Sequence, residues 1–94
     1  MARAIWNATV VAEGTDIVLV EGNVYFRAQD VDARFLQPSE THTICGWKGV
    51  ASYHHVVAGG QTSRDGAWYY PDPKPEAERV RGRIAFWHGV KVER

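Results

Sequence analysis

Short apolar runs separated by turn-forming residues dominate the first third of the chain. Residues 4–6 and 9–11 are two such runs on either side of residues 7–8, and residues 17–20 and 24–26 form a second pair. These runs show little of the 3.6-residue period that marks an amphipathic helix. The pattern therefore predicts two β-hairpins with short strands.

Alternation is clearest at residues 51–57, where it predicts a strand with two different faces. One face would carry Ala51, Tyr53, His55 and Val57, and the other Ser52, His54 and Val56. Residues 67–70 predict a short aromatic strand that ends at two closely spaced prolines. Residues 83–87 and 90–92 predict a last hairpin.

Helical signals are few and short. Residues 30–34 predict one helical turn that Asp30 caps. Pro75 and the acidic residues after it predict a short helix over residues 75–80. Residues 39–49 are polar and aperiodic, which is typical of a structured loop.

These elements add up to about seven or eight short strands with one or two short helices, which predicts a mainly β fold. An antiparallel β-sandwich or a small barrel-like domain fits that pattern. We expect residues 1–94 to form a single domain, because their number lies within the usual range for one. Hydrophobic residues make up 45% of the chain, which is typical of a globular protein.

The charge balance narrows the expected partners. The 11 basic and 11 acidic residues cancel, so we expect no nucleic-acid partner. No apolar run approaches the roughly 18 residues of a membrane helix, so we expect no membrane association. The N-terminus lacks a long apolar segment and the single cysteine excludes an internal disulfide, which favours a cytoplasmic location.

Common cofactor motifs such as GxGxxG and GxxxxGK[ST] are missing, so the cofactor stays undetermined. Asp30 and Asp32 form a DxD pair, which suits a divalent metal but also suits a helix cap with a solvated neighbour. His42 and Cys45 have the spacing of two zinc ligands, yet there is no second cysteine. We therefore expect no metal site.

Cys45 has two interpretations. Lys48 follows it by three residues, and a nearby ammonium lowers the pKa of a thiol and makes it more reactive. A histidine from a neighbouring strand would then act as the base. The alternative, which we favour from the missing hydrolase signature, is an inert cysteine in the core.

Aromatic and polar residues are concentrated in the second half, which suggests a small-molecule site. Its predicted aromatic wall consists of Trp47, Tyr53, Tyr70 and Trp87. Its predicted polar and catalytic groups are Cys45, Lys48, His54 and Asp72. Lys48 would anchor an anionic or carbonyl group of a small molecule, and Asp72 or His54 would transfer a proton.

Two alternatives remain open for the same residues. The aromatic side chains would equally form a packed core, with the Lys48 ammonium reaching out to water. The aromatic strand at residues 68–70 and the exposed edge of a small sheet would also suit an interaction module or a homodimer.

Five stretches resemble one protein family over nearly the whole chain. They read AIWN at 4–7, VEGNVYF at 20–26, CGWKGVASY at 45–53, AWYYPDP at 67–73 and IAFW at 84–87. The chain resembles the family known as domain of unknown function number 427, although Gly46 stands where that family often has proline. The resemblance implies a compact, mostly β, stand-alone domain without an established reaction. A nucleotidyltransferase label attached to the family implies Asp30 and Asp32 facing a cleft and binding Mg²⁺.

Overall fold

The computed structural model describes residues 1–94. Its strands are β1 (Ala2–Trp6), β2 (Thr9–Gly14), β3 (Ile17–Val20), β4 (Asn23–Phe26), β5 (Leu36–Cys45), β6 (Gly49–Ala58), β7 (Gln61–Tyr69), β8 (Ile84–Phe86) and β9 (Lys91–Glu93). Three short 3-10 helices cover Ala28–Asp30, Ala33–Phe35 and Pro75–Val80. None of them has the length and apolar character needed to cross a lipid bilayer.

The strands form two sheets, and all the pairs between strands are antiparallel. The small sheet has the order β2-β1-β9, and the large sheet has the order β3-β4-β8-β7-β6-β5. The predicted mainly β class with short helices is confirmed. Because the large sheet keeps two free edges, at β3 and β5, the fold is not a closed barrel.

One face of the large sheet packs against the small sheet, and we call it the inner face. The large sheet contributes Val24, Phe26, Val56, Ala67, Ile84 and Phe86, and the small sheet contributes Ala2, Ala4, Val11 and Ala12. All of these side chains are buried, and Phe26, Val11 and Val56 are fully so. This cluster is the main apolar core.

The opposite, outer face of the large sheet carries a second buried cluster. Its large side chains are Tyr25, Tyr53, Trp68 and Tyr70, with Val20, Ala51 and Ala85 between them. The 3-10 helix Pro75–Val80 covers part of this face with Ala77 and Val80, which are both buried. Strand alternation therefore places Phe26 and Tyr25, although neighbours in sequence, in different cores.

The hairpins predicted for the first third of the chain are confirmed. β1 pairs with β2 around Asn7 and Ala8, which both adopt positive φ (49° and 59°), as the turns favoured in tight hairpins require. β3 pairs with β4 around Glu21 and Gly22, again with positive φ at both turn residues.

The prediction of a loop over residues 39–49 is wrong for residues 39–45, which belong to the long edge strand β5, and for Gly49, which begins β6. The exposure and polarity of residues 39–45 follow from the position of β5 at the sheet edge. An irregularity between Pro38 and His42 also interrupts the pairing with β6 and breaks the alternation that would have indicated a strand.

The predicted last hairpin is also wrong. β8 pairs with β4 and β7, so both of its edges are already occupied, and β9 pairs with β1 in the small sheet. His88 and Gly89, with φ of 52° and 89°, form the turn after which the chain enters the other sheet.

Two smaller predictions need correction. Asp30 does not cap a helical turn; Asp32 caps the 3-10 helix Ala33–Phe35 by accepting the backbone N–H of Arg34 at 3.1 Å. The aromatic strand at residues 68–70 offers no free edge to a partner, because β7 lies between β6 and β8.

Candidate functional site

Most of the predicted site residues lie in residues 45–53 and 68–72, and these two stretches meet in the structure. Tyr53 of β6 pairs with Trp68 of β7, and both side chains lie on the outer face. The turn between β5 and β6 also contacts the segment after β7, because the backbone N–H of Lys74 donates to the carbonyl oxygen of Lys48 at 2.9 Å. The ammonium of Lys74 donates to the carbonyl oxygen of Gly46 at 2.6 Å.

Lys48 is the only charged residue that is buried, with 5% of its surface exposed. Its ammonium nitrogen lies 5.0 Å from the ring centroid of Trp47 and 5.7 Å from that of Tyr70. Both aromatic faces attract the cation, because the centre of such a ring is electron-rich. The turn and the aromatic cluster together therefore hold a positive charge inside the outer face.

Glu21, at the tip of the β3–β4 hairpin, supplies the carboxylate for this charge. One of its oxygens accepts a hydrogen bond from the Lys48 ammonium, and the other accepts from the indole N–H of Trp47 at 3.3 Å. The two partners differ in burial: the Lys48 side chain is 7% exposed and that of Glu21 is 54% exposed.

Both members of this pair stay charged. The hydrogen bond from Lys48, helped by the one from Trp47, lowers the pKa of Glu21. Burial on its own would lower the pKa of Lys48, but the hydrogen bond to Glu21 and nearby groups such as Tyr25 outweigh it, so this pKa is raised. Burial raises the pKa of Tyr70, which keeps that phenol neutral beside the ammonium.

Cys45 ends β5 at the same turn and is half-buried. Burial raises the pKa of its thiol, but hydrogen bonds from the backbone N–H groups of Trp47 and Lys48, together with the Lys48 charge, lower it by more. The net pKa is lower than that of an ordinary thiol. The predicted proximity of Cys45 and Lys48 thus has a structural basis in the tight turn.

The aromatic wall predicted for the small-molecule site does not enclose a pocket. Aromatic rings fill the place instead. Trp68 packs edge-to-face on Tyr25 at 6.1 Å between ring centroids, and its indole N–H donates to the Tyr25 hydroxyl at 3.2 Å. Trp87 stacks against Tyr53 at 6.3 Å and meets Trp68 at 5.2 Å, while 42% of its own surface stays exposed.

His54 and Asp72 do not join the other predicted site residues. His54 stacks on Tyr69 at 4.9 Å, and alternation along β6 directs it away from the face that carries Tyr53. Its Nδ1 is buried without a partner, and burial lowers its pKa. The Asp72 side chain is 92% exposed and pairs with Arg81 at 3.4 Å. The carboxylate beside Lys48 is that of Glu21, not that of Asp72.

Glu21 and Tyr25 are therefore the residues that sequence reasoning missed. The one signal at Glu21 is its residue type, because Asn, Asp and Gly are usual at such a tight-turn position, where Glu21 has a φ of +54°. Tyr25 carried no comparable signal, since any aromatic residue of a short strand fits a core.

A second polar cluster, which was also missed from the sequence, connects β5, β6 and β7 near His55. Asp65 has a positive φ of 54°, and its carboxylate accepts hydrogen bonds from the hydroxyls of Ser39 at 2.5 Å and Thr41 at 2.8 Å. Its backbone N–H donates to Nδ1 of His55 at 2.9 Å. The hydrogen bond from Ser39 is the main cause of the lowered pKa of Asp65. Irregular pairing on both sides of β6 makes this cluster possible.

Asp30 and Asp32 each form an ion pair with a nearby arginine. Arg27 donates to both carboxylate oxygens of Asp30, at 2.9 and 3.1 Å, and Arg34 holds Asp32 in the same way, with its closest contact at 2.7 Å. No three His, Cys, Asp or Glu side chains lie close enough together to hold a metal ion. The DxD pair thus has a structural explanation in two local ion pairs.

Comparison with known proteins gives one match. The model of a family described as a domain of unknown function (DUF427), with the label NTP_transf_9, matches residues 1–94. No curated protein matches the chain.

Proposed function

The chain belongs to the DUF427 family, and from that premise, which supplies no reaction, we propose that it binds a small molecule through an anionic group held by Lys48. The buried ammonium is the observation that carries this proposal. It is the only charged side chain that folding removes from water, and it lies among aromatic rings that suit an organic ligand.

Stability alone explains this lysine poorly. Transfer of an ammonium from water to a protein interior costs several kcal/mol, and a single ion pair often fails to recover that cost. An ammonium also has three N–H donors, whereas the Lys48 side chain has one carboxylate oxygen as its partner. Its other contacts are the ring faces of Trp47 and Tyr70, which attract a cation less strongly than an anion does.

Trp47 supports the proposal because it combines a flat apolar surface with a hydrogen-bond donor. Its indole is only partly buried, and its N–H points to the same carboxylate as the Lys48 ammonium. A ligand with an anionic group next to an apolar body would contact both features.

Cys45 extends the proposal toward catalysis. It is the one thiol of the chain, it lies at the same turn, and its pKa is lowered. A thiolate there would add to a carbonyl carbon of a ligand that Lys48 holds by its anionic end, forming a C–S bond as the C=O π bond opens to an alkoxide. His54 and Asp72 are not part of this proposal, since the structure places them elsewhere.

The experiment is a titration of the protein with sodium benzoate and with inorganic phosphate, followed by the NMR signal of the Trp47 indole N–H. We expect at least one anion to bind, and we expect Lys48→Met to weaken it by about tenfold or more, which equals roughly 1.4 kcal/mol. Lys91→Met removes the same charge at an exposed position, 71% exposed, and is the matched control. Equal affinity in Lys48→Met and wild type, or no binding of either anion, would contradict the proposal.

A further inference from the structure

Glu21 places a carboxylate where the proposed anion would bind. One oxygen faces the Lys48 ammonium and the other faces the Trp47 indole N–H at 3.3 Å. Two donors from adjacent residues thus hold the two oxygens of a single carboxylate group. We infer that this subsite is built for a carboxylate, and that Glu21 occupies it as a tethered competitor until a carboxylate ligand displaces it. This inference rests on the proposed function.

The structure allows Glu21 to leave and Lys48 to stay. Glu21 is at a hairpin tip and its side chain is already 54% exposed, so displacement returns a half-hydrated carboxylate to water. The Lys48 side chain is 7% exposed and lies between two rings, so it has no comparable path outward. Exchange of one carboxylate for another then leaves the buried ammonium paired at the end of the process.

Charge and geometry favour a carboxylate over a phosphate. The subsite has one cation, and Glu21 neutralises it with one negative charge. A carboxylate ligand reproduces that balance and the two hydrogen bonds. A phosphate dianion would add a second negative charge and a third oxygen, and neither Lys48 nor Trp47 has a further group aimed at it.

A tethered competitor lowers the apparent affinity of a ligand by the fraction of molecules in which the subsite is free. Removal of the Glu21 charge should therefore tighten ligand binding, although it removes a contact of the folded protein. A glutamate that only stabilises the turn would have the opposite effect, because its loss would disorder the Lys48 site.

The test measures the affinity of benzoate and of inorganic phosphate for wild type, Glu21→Gln and Glu13→Gln by NMR titration. Glu13 is an exposed glutamate paired with Arg3, so its variant is a matched control for the loss of one acidic charge. We expect Glu21→Gln to bind benzoate about tenfold more tightly than wild type, and Glu13→Gln to bind it as wild type does. Benzoate should bind more tightly than phosphate in all three proteins.

The outcomes separate this inference from the proposed function. Benzoate affinity that depends on Lys48 but is equal or weaker in Glu21→Gln would overturn the competitor role alone. Stronger binding of phosphate than of benzoate in Glu21→Gln would overturn the carboxylate class alone. No binding of either anion, even to Glu21→Gln, would overturn the proposed function as well. Should Glu21→Gln fail to fold, Glu21→Asp, which keeps the charge but shortens its reach, must show the same increase in benzoate affinity.

Discussion

The inner and outer faces of the large sheet are built from the same strands but have different chemistry. The small sheet covers the inner face, whose buried rings are Phe26 and Phe86, packed edge-to-face at 5.7 Å. The partly buried aromatic residues that pack at its margin are Trp6, Phe35 and Tyr69. The outer face is only partly covered, and its rings are tyrosines and tryptophans. The buried ammonium of Lys48 lies on this second face.

The two faces differ in the type of aromatic residue that they bury. Phenylalanine has no polar group and therefore suits a dry core, and all three phenylalanines pack in or against the inner cluster. Tyrosine and tryptophan combine an apolar body with a donor that needs a partner, as Trp68 and Tyr25 provide for each other. The inner face is thus a purely apolar core, while the outer face combines apolar packing with the polar groups that the proposed binding would use.

The largest expected effect comes from the inner face. Phe26→Ala removes a ring with 0% exposure and should lower the free energy of unfolding by about 3–5 kcal/mol, because it leaves a cavity between the two sheets. Urea denaturation followed by tryptophan fluorescence measures this change. A loss below about 1 kcal/mol would mean that the inner face is not the main core.

A smaller effect is expected where the outer face is well packed. Tyr25→Phe leaves the indole N–H of Trp68 buried without its acceptor, and this should cost about 1–3 kcal/mol. Urea denaturation of Tyr25→Phe and of the double variant Tyr25→Phe/Trp68→Phe provides the check. The double variant should lose less than the sum of the two single variants, and additive losses would show that the two groups are not coupled.

Lys48→Met should change the stability by less than about 1 kcal/mol, because an apolar side chain of similar length often replaces a buried ion pair without loss. Glu21 is then left unpaired, but it is half-exposed and can be hydrated. Since pairing lowers the pKa of Glu21, its stabilising contribution is present above the pKa of the unfolded chain and is lost as the pH falls through the folded value. Denaturation at pH 7 and pH 3 tests this, and a loss as large as that of Phe26→Ala would contradict the division between the faces.

The smallest expected effect is a shift in the reactivity of Cys45. The pH at which the thiol becomes half-maximally reactive toward iodoacetamide should lie below its ordinary value of 9.0, since the backbone N–H groups and Lys48 stabilise the thiolate. Lys48→Met should move this midpoint upward and Lys91→Met should not. A wild-type midpoint at or above 9.0 would indicate that Cys45 is only a core residue.

The sequence was informative where neighbours along the chain determine the structure. Turns at Asn7 and Ala8 and alternation around Tyr53 depend on local chemistry, so those hairpins and faces could be predicted. The pairing of β9 could not be predicted, because β9 pairs with β1 and so joins the two ends of the chain. Nothing local indicates that both edges of β8 are taken by other strands.

The candidate site was predictable in part for the same reason. Cys45, Trp47 and Lys48 share one turn, so their proximity followed directly from the sequence. The carboxylate that pairs with Lys48 could not be predicted in this way. Glu21 precedes Lys48 by 27 residues, and Asp72 was an equally reasonable candidate from the sequence. The prediction of a binding pocket was wrong because the sequence does not show how aromatic rings pack. Here Trp68 and Tyr25 pack against each other and leave no pocket between them.

The central claim is that Lys48 exchanges Glu21 for the carboxylate of a ligand. The ¹³C chemical shift of the Glu21 carboxyl carbon, followed at pH 7 during addition of benzoate, tests it most directly. We expect this shift to move to the value found in Lys48→Met, where Glu21 has no cation to pair with. Saturation of the protein by benzoate with no change in the Glu21 shift would contradict the claim.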